Sequence, residues 1–301
     1  MAGWRVLGGR PESGKPRLPV PVSDTLAVIA EKGEKPTPLE FLGLVTEFAK
    51  ERRKHNDAIL EKEREIRASY ECFESEKRAE FFSLLYDMFS EGYDEHMSKT
   101  GHYWAIKRVL EFAYPHLRLP MLDITAGTGE PLKYALEILD DLQVRGRLPE
   151  EPSSAHQIFA NEISPKMVSL AERKLGGRAQ FRKGNAYELP PEWRQKFATV
   201  LCSQTFHLIS DEDKLRLVLA MKGALAPGGV AVVMEEDPFR ISPTPQIEPV
   251  SIFLRSVVRP IKHRGDLIGL FEANGLTKLE ERAAAPIDSE HVMRLHLFKL
   301  T

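Results

Sequence analysis

The stretch that decides the fold is Met121-Leu122-Asp123-Ile124-Thr125-Ala126-Gly127-Thr128-Gly129-Glu130. Its first four residues predict a short buried strand, and a helical pattern over 131–141 follows the turn. Glycine at 127 and at 129 lets a ligand approach the backbone closely, because no side chain intervenes. Ligands of open α/β sheets bind beyond the carboxyl ends of the strands. The stretch therefore predicts a strand, a cofactor-binding turn and a helix.

The turn differs from a dinucleotide-binding turn. A G-x-G-x-x-G fingerprint starting at Gly127 needs a third glycine where this chain has Leu132. Glu130 also places a negative charge where a pyrophosphate needs the opposite charge. S-adenosylmethionine has no phosphate and carries a positive sulfonium, so an acidic turn is compatible with it. The residues argue against NAD and FAD.

Two later segments place polar groups after neighbouring predicted strands. Glu162 lies in the strand predicted over 158–163, where its carboxylate can accept two hydrogen bonds from a ribose diol, or alternatively face solvent. Asn185 can hydrogen-bond an adenine edge, or its Gly-Asn dipeptide is an ordinary turn. The segment Leu225-Ala226-Pro227-Gly228-Gly229 predicts a helix end that turns into another strand.

These segments resemble the class I S-adenosylmethionine-dependent methyltransferases, and most closely the broad group that includes the ubiquinone/menaquinone-biosynthesis enzymes. The segment 123–129 is similar to the first motif of the family, 162–167 to its ribose-holding motif and 184–190 to its adenine-contacting segment. The segment 199–207 is similar to its fourth strand and 225–229 to its Leu-x-Pro-Gly-Gly turn. Tyr93-Asp94 resembles the Tyr-Asp pair that can lie over the methionine part of the cofactor.

The resemblance implies S-adenosyl-L-methionine as the cofactor. It also implies the residues that bind this cofactor, which are Tyr93, Asp123, Thr125, Ala126, Gly127, Thr128, Gly129, Glu162, Ile163, Met167, Asn185, Ala186, Tyr187, Ser203 and Gln204. One departure is the interval of 39 positions from Asp123 to Glu162 (162 − 123), where roughly 20 are usual in related folds. We interpret the excess, around 145–156, as an inserted surface loop.

The chain divides into three predicted parts. Residues 1–36 are rich in proline, which predicts an extended or flexible segment. Residues 37–113 are predicted to form a helical extension and cap, beginning at the capping box Thr37-Pro38-Leu39-Glu40 and turning at 91–94. Residues 114–301 alternate strands and helices, which predicts a doubly wound, mainly parallel, seven-stranded α/β sheet of the Rossmann-like methyltransferase type.

Composition agrees with an ordinary globular protein. The hydrophobic share is 42%, the charged share is 29% and the formal net charge is −2, so nucleic-acid binding is not indicated. Cys72 and Cys202 have no metal-ligand spacing, and no metal is predicted. No run of about 18 apolar residues occurs, so the sequence predicts no membrane span and a cytoplasmic protein.

The methyl acceptor has no clear motif. Candidates for a general base are His207, Glu235, Glu236 and Asp237, of which we select His207 because its pKa range suits proton transfer near neutrality. Alternatively, His207 packs in the cofactor wall, and the acidic run is solvated or caps a helix. The aromatic pair at 103–104 could close over the site or belong to a packed helix.

Three hypotheses follow. The chain methylates O, N or C of a small molecule; it methylates RNA or protein, using the charged helix of the N-terminal part as a docking arm; or it binds the cofactor without turnover. We favour the first, because the predicted cap is short and the net charge is slightly acidic. The same charged helix could also form a homodimer.

Overall fold

The computed structural model describes residues 36–51, 66, 68–70, 72–145, 157–236, 264–284 and 292–301. The predicted proline-rich segment, except for Pro36, and most of the inserted loop lie outside these residues, as do most of the charged stretch after residue 51 and Asp237.

A single seven-stranded sheet forms the centre of the described fold. Its strands are β1 (Met121–Asp123), β2 (Ile158–Glu162), β3 (Gln180–Lys183), β4 (Phe197–Ser203), β5 (Leu225–Glu236), β6 (Leu276–Ala284) and β7 (Met293–Leu300). The order is β3-β2-β1-β4-β5-β7-β6, with β7 antiparallel to both of its neighbours and the first five strands parallel. This arrangement confirms the predicted doubly wound, mainly parallel Rossmann-like sheet. The strand order reverses between β1 and β4, and there the carboxyl ends of the strands leave a crevice.

Helices cover both faces of the sheet. They are α1 (Pro38–Glu51), α2 (Ser75–Lys99), α3 (His102–Ala113), α4 (Glu130–Val144), α5 (Pro165–Leu175), α6 (Asp211–Ala224) and α7 (Arg264–Ala273). One core joins α1, α2, α6 and α7 to side chains such as Leu122 and Val233, while a second core joins α3 and α4 to side chains such as Met121 and Val232. Because strand residues alternate between the two faces, the central strands β1, β2, β4 and β5 contribute to both cores. The division of the chain at residue 114 stays a prediction.

The first described helix begins as the sequence predicts. Thr37 Oγ1 accepts a hydrogen bond from the Glu40 backbone N–H at 3.3 Å, and Glu40 Oε2 accepts one from the Thr37 backbone N–H at 2.8 Å. These two bonds form the capping box. Leu42 and Val45 of α1, three residues apart and so on one face of the helix, are buried in the first core.

The turn predicted at 91–94 is wrong. Helix α2 continues through Gly92 and ends at Lys99, followed by the cap residue Thr100 and by Gly101 with a left-handed φ of 79°. A glycine inside a helix costs about 1 kcal/mol relative to alanine, but the burial of Phe81, Phe82 and Leu85 on the same helix outweighs that cost. Tertiary packing therefore overrides the local turn signal.

Two strand boundaries also differ from the prediction. Strand β4 begins at Phe197 rather than at residue 199, because Phe197 pairs with Leu225. Strand β5 therefore includes Gly228 and Gly229, predicted as a turn before the strand, and the register shifts before Val230 pairs with Thr199. The turn is thus an irregularity within the strand pairing.

Candidate cofactor site

A cavity lies over the carboxyl ends of β1, β2 and β4 and over the turn after β3. It contains about 780 Å³ of space, counting its mouth, which opens to solvent. Helix α2 covers it like a roof. Most of the predicted cofactor residues line this cavity, namely Tyr93, Thr125, Gly127, Glu162, Ile163, Met167, Asn185, Ala186, Tyr187, Ser203 and Gln204.

Gly127 is the residue of the turn that opens to this space. Its φ is +53°, a left-handed value that favours glycine, and a Cβ built there would meet no atom within 4 Å. Its backbone N–H donates to Glu162 Oε2 at 2.8 Å, so the turn is fixed against the end of β2. The backbone at this position can therefore be approached by a ligand.

The remaining predicted cofactor residues, Asp123, Ala126, Thr128 and Gly129, do not line the cavity. A Cβ on Gly129 would lie 3.0 Å from the Cβ of Ala171, so this glycine permits close packing against α5. Ala126 is buried, and Thr128 Oγ1 contacts Lys174 at 3.1 Å on the outer side of the turn. Successive residues of a tight turn face different directions, which explains why one motif divides between cavity and packing.

Glu162 is held at the cavity wall. It is 7% exposed, and its two carboxylate oxygens accept backbone N–H bonds from Ser164 at 2.9 Å and Gly127 at 2.8 Å. Burial raises the pKa of Glu162, while these backbone bonds act in the opposite direction. Each oxygen keeps a further lone pair, so the carboxylate can accept additional hydrogen bonds from a diol in the cavity.

Two buried polar atoms near this turn have no hydrogen-bond partner among the described residues. They are Oδ2 of Asp123 and Oγ of Ser203, the latter in the cavity wall. Burial raises the pKa of Asp123 to about 7. Because an unpaired buried polar group is costly, the Ser203 hydroxyl in the cavity wall indicates a site completed by a bound molecule. The open space over Gly127, the carboxylate of Glu162 and the unpaired hydroxyl together fit an adenosyl amino acid.

Asn185 forms the predicted local turn, and its predicted contact with adenine stays a prediction. Its Oδ1 accepts a hydrogen bond from the Tyr187 backbone N–H at 3.0 Å, which makes a local turn, while the residue also lines the cavity. Asn161 lines the cavity too, and the sequence interpretation missed it. Its Nδ2 donates to the carbonyls of Ile124 and Gly184, both at 3.1 Å, and thereby ties together the ends of three strands. A polar residue inside an otherwise buried strand was the available signal.

Helix α2, which lines one side of the cavity, is bound by polar contacts to the start of α5. Oδ1 of Asp87 accepts hydrogen bonds from Ser164 Oγ at 2.6 Å and from the Lys166 backbone N–H at 3.1 Å. The preceding residues Phe82 and Tyr86 of the same helix lie in the cavity wall, and the sequence analysis predicted neither as a site residue. A long amphipathic helix does not indicate which floor it will cover, so these residues could not be found from local patterns.

Asp94 and Glu130 belong to an ion-pair cluster outside the cavity. Lys174 Nζ lies 2.8 Å from Asp94 Oδ2 and 2.6 Å from Glu130 Oε2, and Lys133 adds a second contact to Glu130 at 3.0 Å. The predicted acidic character of the turn is therefore neutralised by lysines. Tyr103 donates to Asp94 and is buried in the second core, so it does not close over the site. Trp104 is 46% exposed and does not line the cavity.

The candidate base lies beside the cavity, next to lining residues Thr205 and Leu208. Nδ1 of His207 is 2.7 Å from Glu235 Oε2, while Oε1 of Glu235 accepts the backbone N–H groups of Thr205 and Phe206. Burial disfavours the charged imidazole, but the carboxylate of Glu235 outweighs it and the pKa of His207 is raised.

The neighbouring carboxylates have other partners. Glu235 is buried and fixes the turn after β4, while Glu236 lies 3.0 Å from Nε2 of His102. Within the described ranges no helix is long and apolar enough to cross a membrane. The same residues contain no group of three His, Cys, Asp or Glu side chains that could hold a metal ion.

Comparison with known proteins finds a family match that covers part of the chain, including the glycine turn and Glu162. Residues 121–229 match the family described as "Methyltransferase domain". No curated protein matches the chain.

Several solved structures are similar at low identity. An S-adenosylmethionine-dependent methyltransferase from Mesorhizobium loti is 16% identical, with a TM-score of 0.44 over 60% of this chain and 90% of the other. The PH0226 protein from Pyrococcus horikoshii OT3 is 15% identical, with a TM-score of 0.46 over 69% and 91%. Geranyl diphosphate methyltransferase, solved with S-adenosylmethionine, is 14% identical, with a TM-score of 0.45 over 65% and 85%. We draw no functional conclusion from similarities this low.

The matched residues contain β1, the glycine turn, Glu162, the segment around Asn185 and the turn at 225–229. The narrower resemblance to the ubiquinone/menaquinone group stays a prediction. The match and the cavity together lead to one conclusion: residues 121–229 carry a methyltransferase domain, and the chain is an S-adenosylmethionine-dependent methyltransferase.

Proposed function

We propose that this enzyme methylates O, N or C of a small-molecule acceptor. The observation that carries the proposal is the row of aromatic side chains that α2 adds to the cavity lined by the turn at Gly127. A covered cavity surrounds a small molecule on most sides, as is usual for sites that bind such ligands. A homodimer through the N-terminal helices stays a prediction.

We further propose how this chain holds the cofactor. Glu162 would accept the hydroxyls of the ribose, Asn185 and Ala186 would contact the adenine, and the backbone at Gly127 would border the amino acid part. Support comes from the shared cavity wall of these residues and from the buried carboxylate at its centre. When bound, S-adenosylmethionine supplies a methyl group that its positive sulfur has already activated. Tyr93, in the same wall, presents an aromatic ring that can attract a sulfonium.

His207 is our candidate for the residue that accepts a proton from the acceptor. If Nδ1 donates to Glu235 Oε2 at 2.7 Å, Nε2 carries the lone pair and can take up the proton. Glu235 then fixes the tautomer and stabilises the imidazolium that forms. The chain contributes alignment, exclusion of water and this proton transfer.

The test of the cofactor site is the effect of S-adenosylhomocysteine, the demethylated product, on thermal unfolding. A ligand at 100 times its Kd stabilises the native state by about 2.7 kcal/mol, which corresponds to roughly 5–10 °C for a protein of this size. Gly127→Val should abolish this shift, because its side chain would enter the open space of the cavity. Gly92→Ala is the control, since Gly92 is also unobstructed but lies on the exposed side of α2.

A shift of that size in the wild type and in Gly92→Ala, but not in Gly127→Val, would support the proposal. No shift in the wild type at millimolar ligand would contradict it. For the acceptor class, turnover on RNA or protein but on no small molecule of a substrate panel would contradict the small-molecule assignment.

A further inference from the structure

Tyr86 lines the cavity but is not one of the predicted cofactor residues. Its ring lies between those of Phe82 and Tyr93 along the roof, with centroid distances of 6.4 Å and 6.1 Å. We call these three residues the aromatic strip. All three line the cavity.

The strip is fixed in place by a repeat in α2. Tyr86-Asp87 and Tyr93-Asp94 are two Tyr-Asp pairs separated by seven residues, or about two helical turns. In each pair the tyrosine lines the cavity, while the aspartate, about 100° further around the helix, bonds to the floor. Asp87 accepts from Ser164, and Asp94 accepts from Thr128 of the glycine turn. Tyr93 is thereby set beside the cofactor turn, and Tyr86 is set two turns earlier along the roof.

The phenol of Tyr86 is influenced by carboxylates from two parts of the site. Burial raises its pKa well above the usual value, and nearby Tyr93, Glu162 and Glu235 raise it further. Glu162 marks the ribose end of the proposed cofactor site, and Glu235 carries the candidate base. The phenol therefore remains protonated and can donate a hydrogen bond.

The hydroxyl of Tyr86 has no hydrogen-bond partner among the described residues. Because Tyr86 lines the cavity, a bound molecule that accepts a hydrogen bond from this hydroxyl gains affinity. The surrounding wall is apolar, with Phe82, Leu208 and Ile209 all less than 9% exposed. An anionic acceptor would be repelled by the carboxylates of Glu162 and Glu235, and a cationic one by the sulfonium.

We propose that Tyr86 determines acceptor specificity by donating a hydrogen bond from its hydroxyl to an uncharged, largely apolar acceptor packed against the aromatic strip. This inference rests on the proposed small-molecule function. It assigns Tyr86 to the acceptor and Tyr93 to the cofactor, so the two tyrosines should differ in which ligand they affect.

The experiment uses two uncharged probes that differ in one group. Indanone carries a carbonyl that accepts a hydrogen bond, and indane has the same rings without it. Each is titrated by calorimetry into the wild type, Tyr86→Phe and Tyr114→Phe, all saturated with S-adenosylhomocysteine. Tyr114 is a matched control because it is 40% exposed and outside the cavity.

The wild type and Tyr114→Phe should bind indanone about five- to tenfold more tightly than indane, the value of one hydrogen bond. Tyr86→Phe should lose this preference, while its affinity for S-adenosylhomocysteine stays within twofold. The inference would be overturned if Tyr86→Phe kept the wild-type preference for indanone, or if neither probe bound to the wild type. A tenfold loss of S-adenosylhomocysteine affinity in Tyr86→Phe would also overturn it. A wild type that fails to bind S-adenosylhomocysteine would instead refute the cofactor site.

Discussion

Replacing Glu162 by glutamine tests the centre of the proposed cofactor site with a change of a single group. Both carboxylate oxygens accept backbone N–H bonds, from Gly127 at 2.8 Å and from Ser164 at 2.9 Å. A glutamine side chain has one accepting oxygen and one donating nitrogen. Whichever way the amide is placed, its NH₂ group must face one of these two backbone donors, or the turn must shift.

The expected loss can be divided between the free protein and the complex. Because the folded pKa of Glu162 is raised above 4.5, its ionisation costs folding stability as the pH rises through that range, and glutamine avoids this cost. The free variant should therefore be less stable by only about 1 kcal/mol, the value of one ordinary hydrogen bond. In the complex the variant also loses charge-assisted bonds to the ribose diol. We expect about 2–3 kcal/mol, or about 30- to 150-fold weaker binding of S-adenosylhomocysteine.

The assay is isothermal titration with S-adenosylhomocysteine, combined with thermal unfolding of the free proteins. Glu172→Gln is the matched control, because Glu172 is an exposed glutamate on α5 and should leave the affinity unchanged. Since the diol donates to the ionised carboxylate, wild-type affinity should fall as the pH drops through the raised pKa of Glu162, and the affinity of Glu162→Gln should not. A folded Glu162→Gln that binds within twofold of the wild type would refute this role.

Two further predictions concern the ion pairs around the site. Burial raises the pKa of Glu130, but its lysine partners lower it below the ordinary 4.5. Lys174→Met should therefore lower the free energy of unfolding at pH 7 by about 2 kcal/mol, because Lys174 is the closer and more buried partner. Lys133→Met should lower it by less than about 0.5 kcal/mol, because Lys133 is more exposed. In urea denaturation the difference between the two variants should shrink as the pH falls below about 4.5; an equal loss in both would contradict this assignment. On an acceptor found by panel screening, His207→Gln should lower kcat about 10²- to 10⁴-fold with unchanged S-adenosylhomocysteine affinity. Because Glu235 raises the pKa of His207, Glu235→Gln should move the acidic limb of the kcat profile to lower pH, and an unmoved limb would exclude His207 as the base.

The cavity wall around the glycine turn was predictable because its signals are local in sequence. A buried strand, two glycines and a carboxylate at the end of the next strand are each defined by a few neighbouring residues, and the parallel sheet brings Gly127 and Glu162 together without further information. The direction of each side chain was less predictable. Gly129 has the same residue type and motif as Gly127, but its missing Cβ makes room for Ala171 of α5.

Charge was misjudged for a different reason. Glu130 gives the turn an acidic character in the sequence, yet Lys174 lies 2.6 Å from it in the fold. Lys174 lies in α5 and Glu130 at the start of α4, with β2 between these helices, so no local sequence pattern indicates that the two residues meet. Net charge at a site depends on all elements that meet there, so an isolated carboxylate in a motif is a weak guide to the potential its ligand experiences.

The roof shows how a local signal can be correct in part and still mislead about structure. The segment Glu91-Gly92-Tyr93-Asp94 was predicted as a turn, and its Tyr-Asp pair was noted by resemblance, whereas Tyr86-Asp87 was not noticed. The two pairs act together only in one continuous helix. The seven-residue spacing then places both tyrosines on one face and both aspartates on the adjacent face. Asp87 and Asp94 bind the helix to Ser164 and Thr128, so the two tyrosines have fixed positions in the cavity wall. A break in the helix at Gly92 would leave the position of Tyr86 relative to Tyr93 undefined. The cavity wall therefore requires α2 to be continuous.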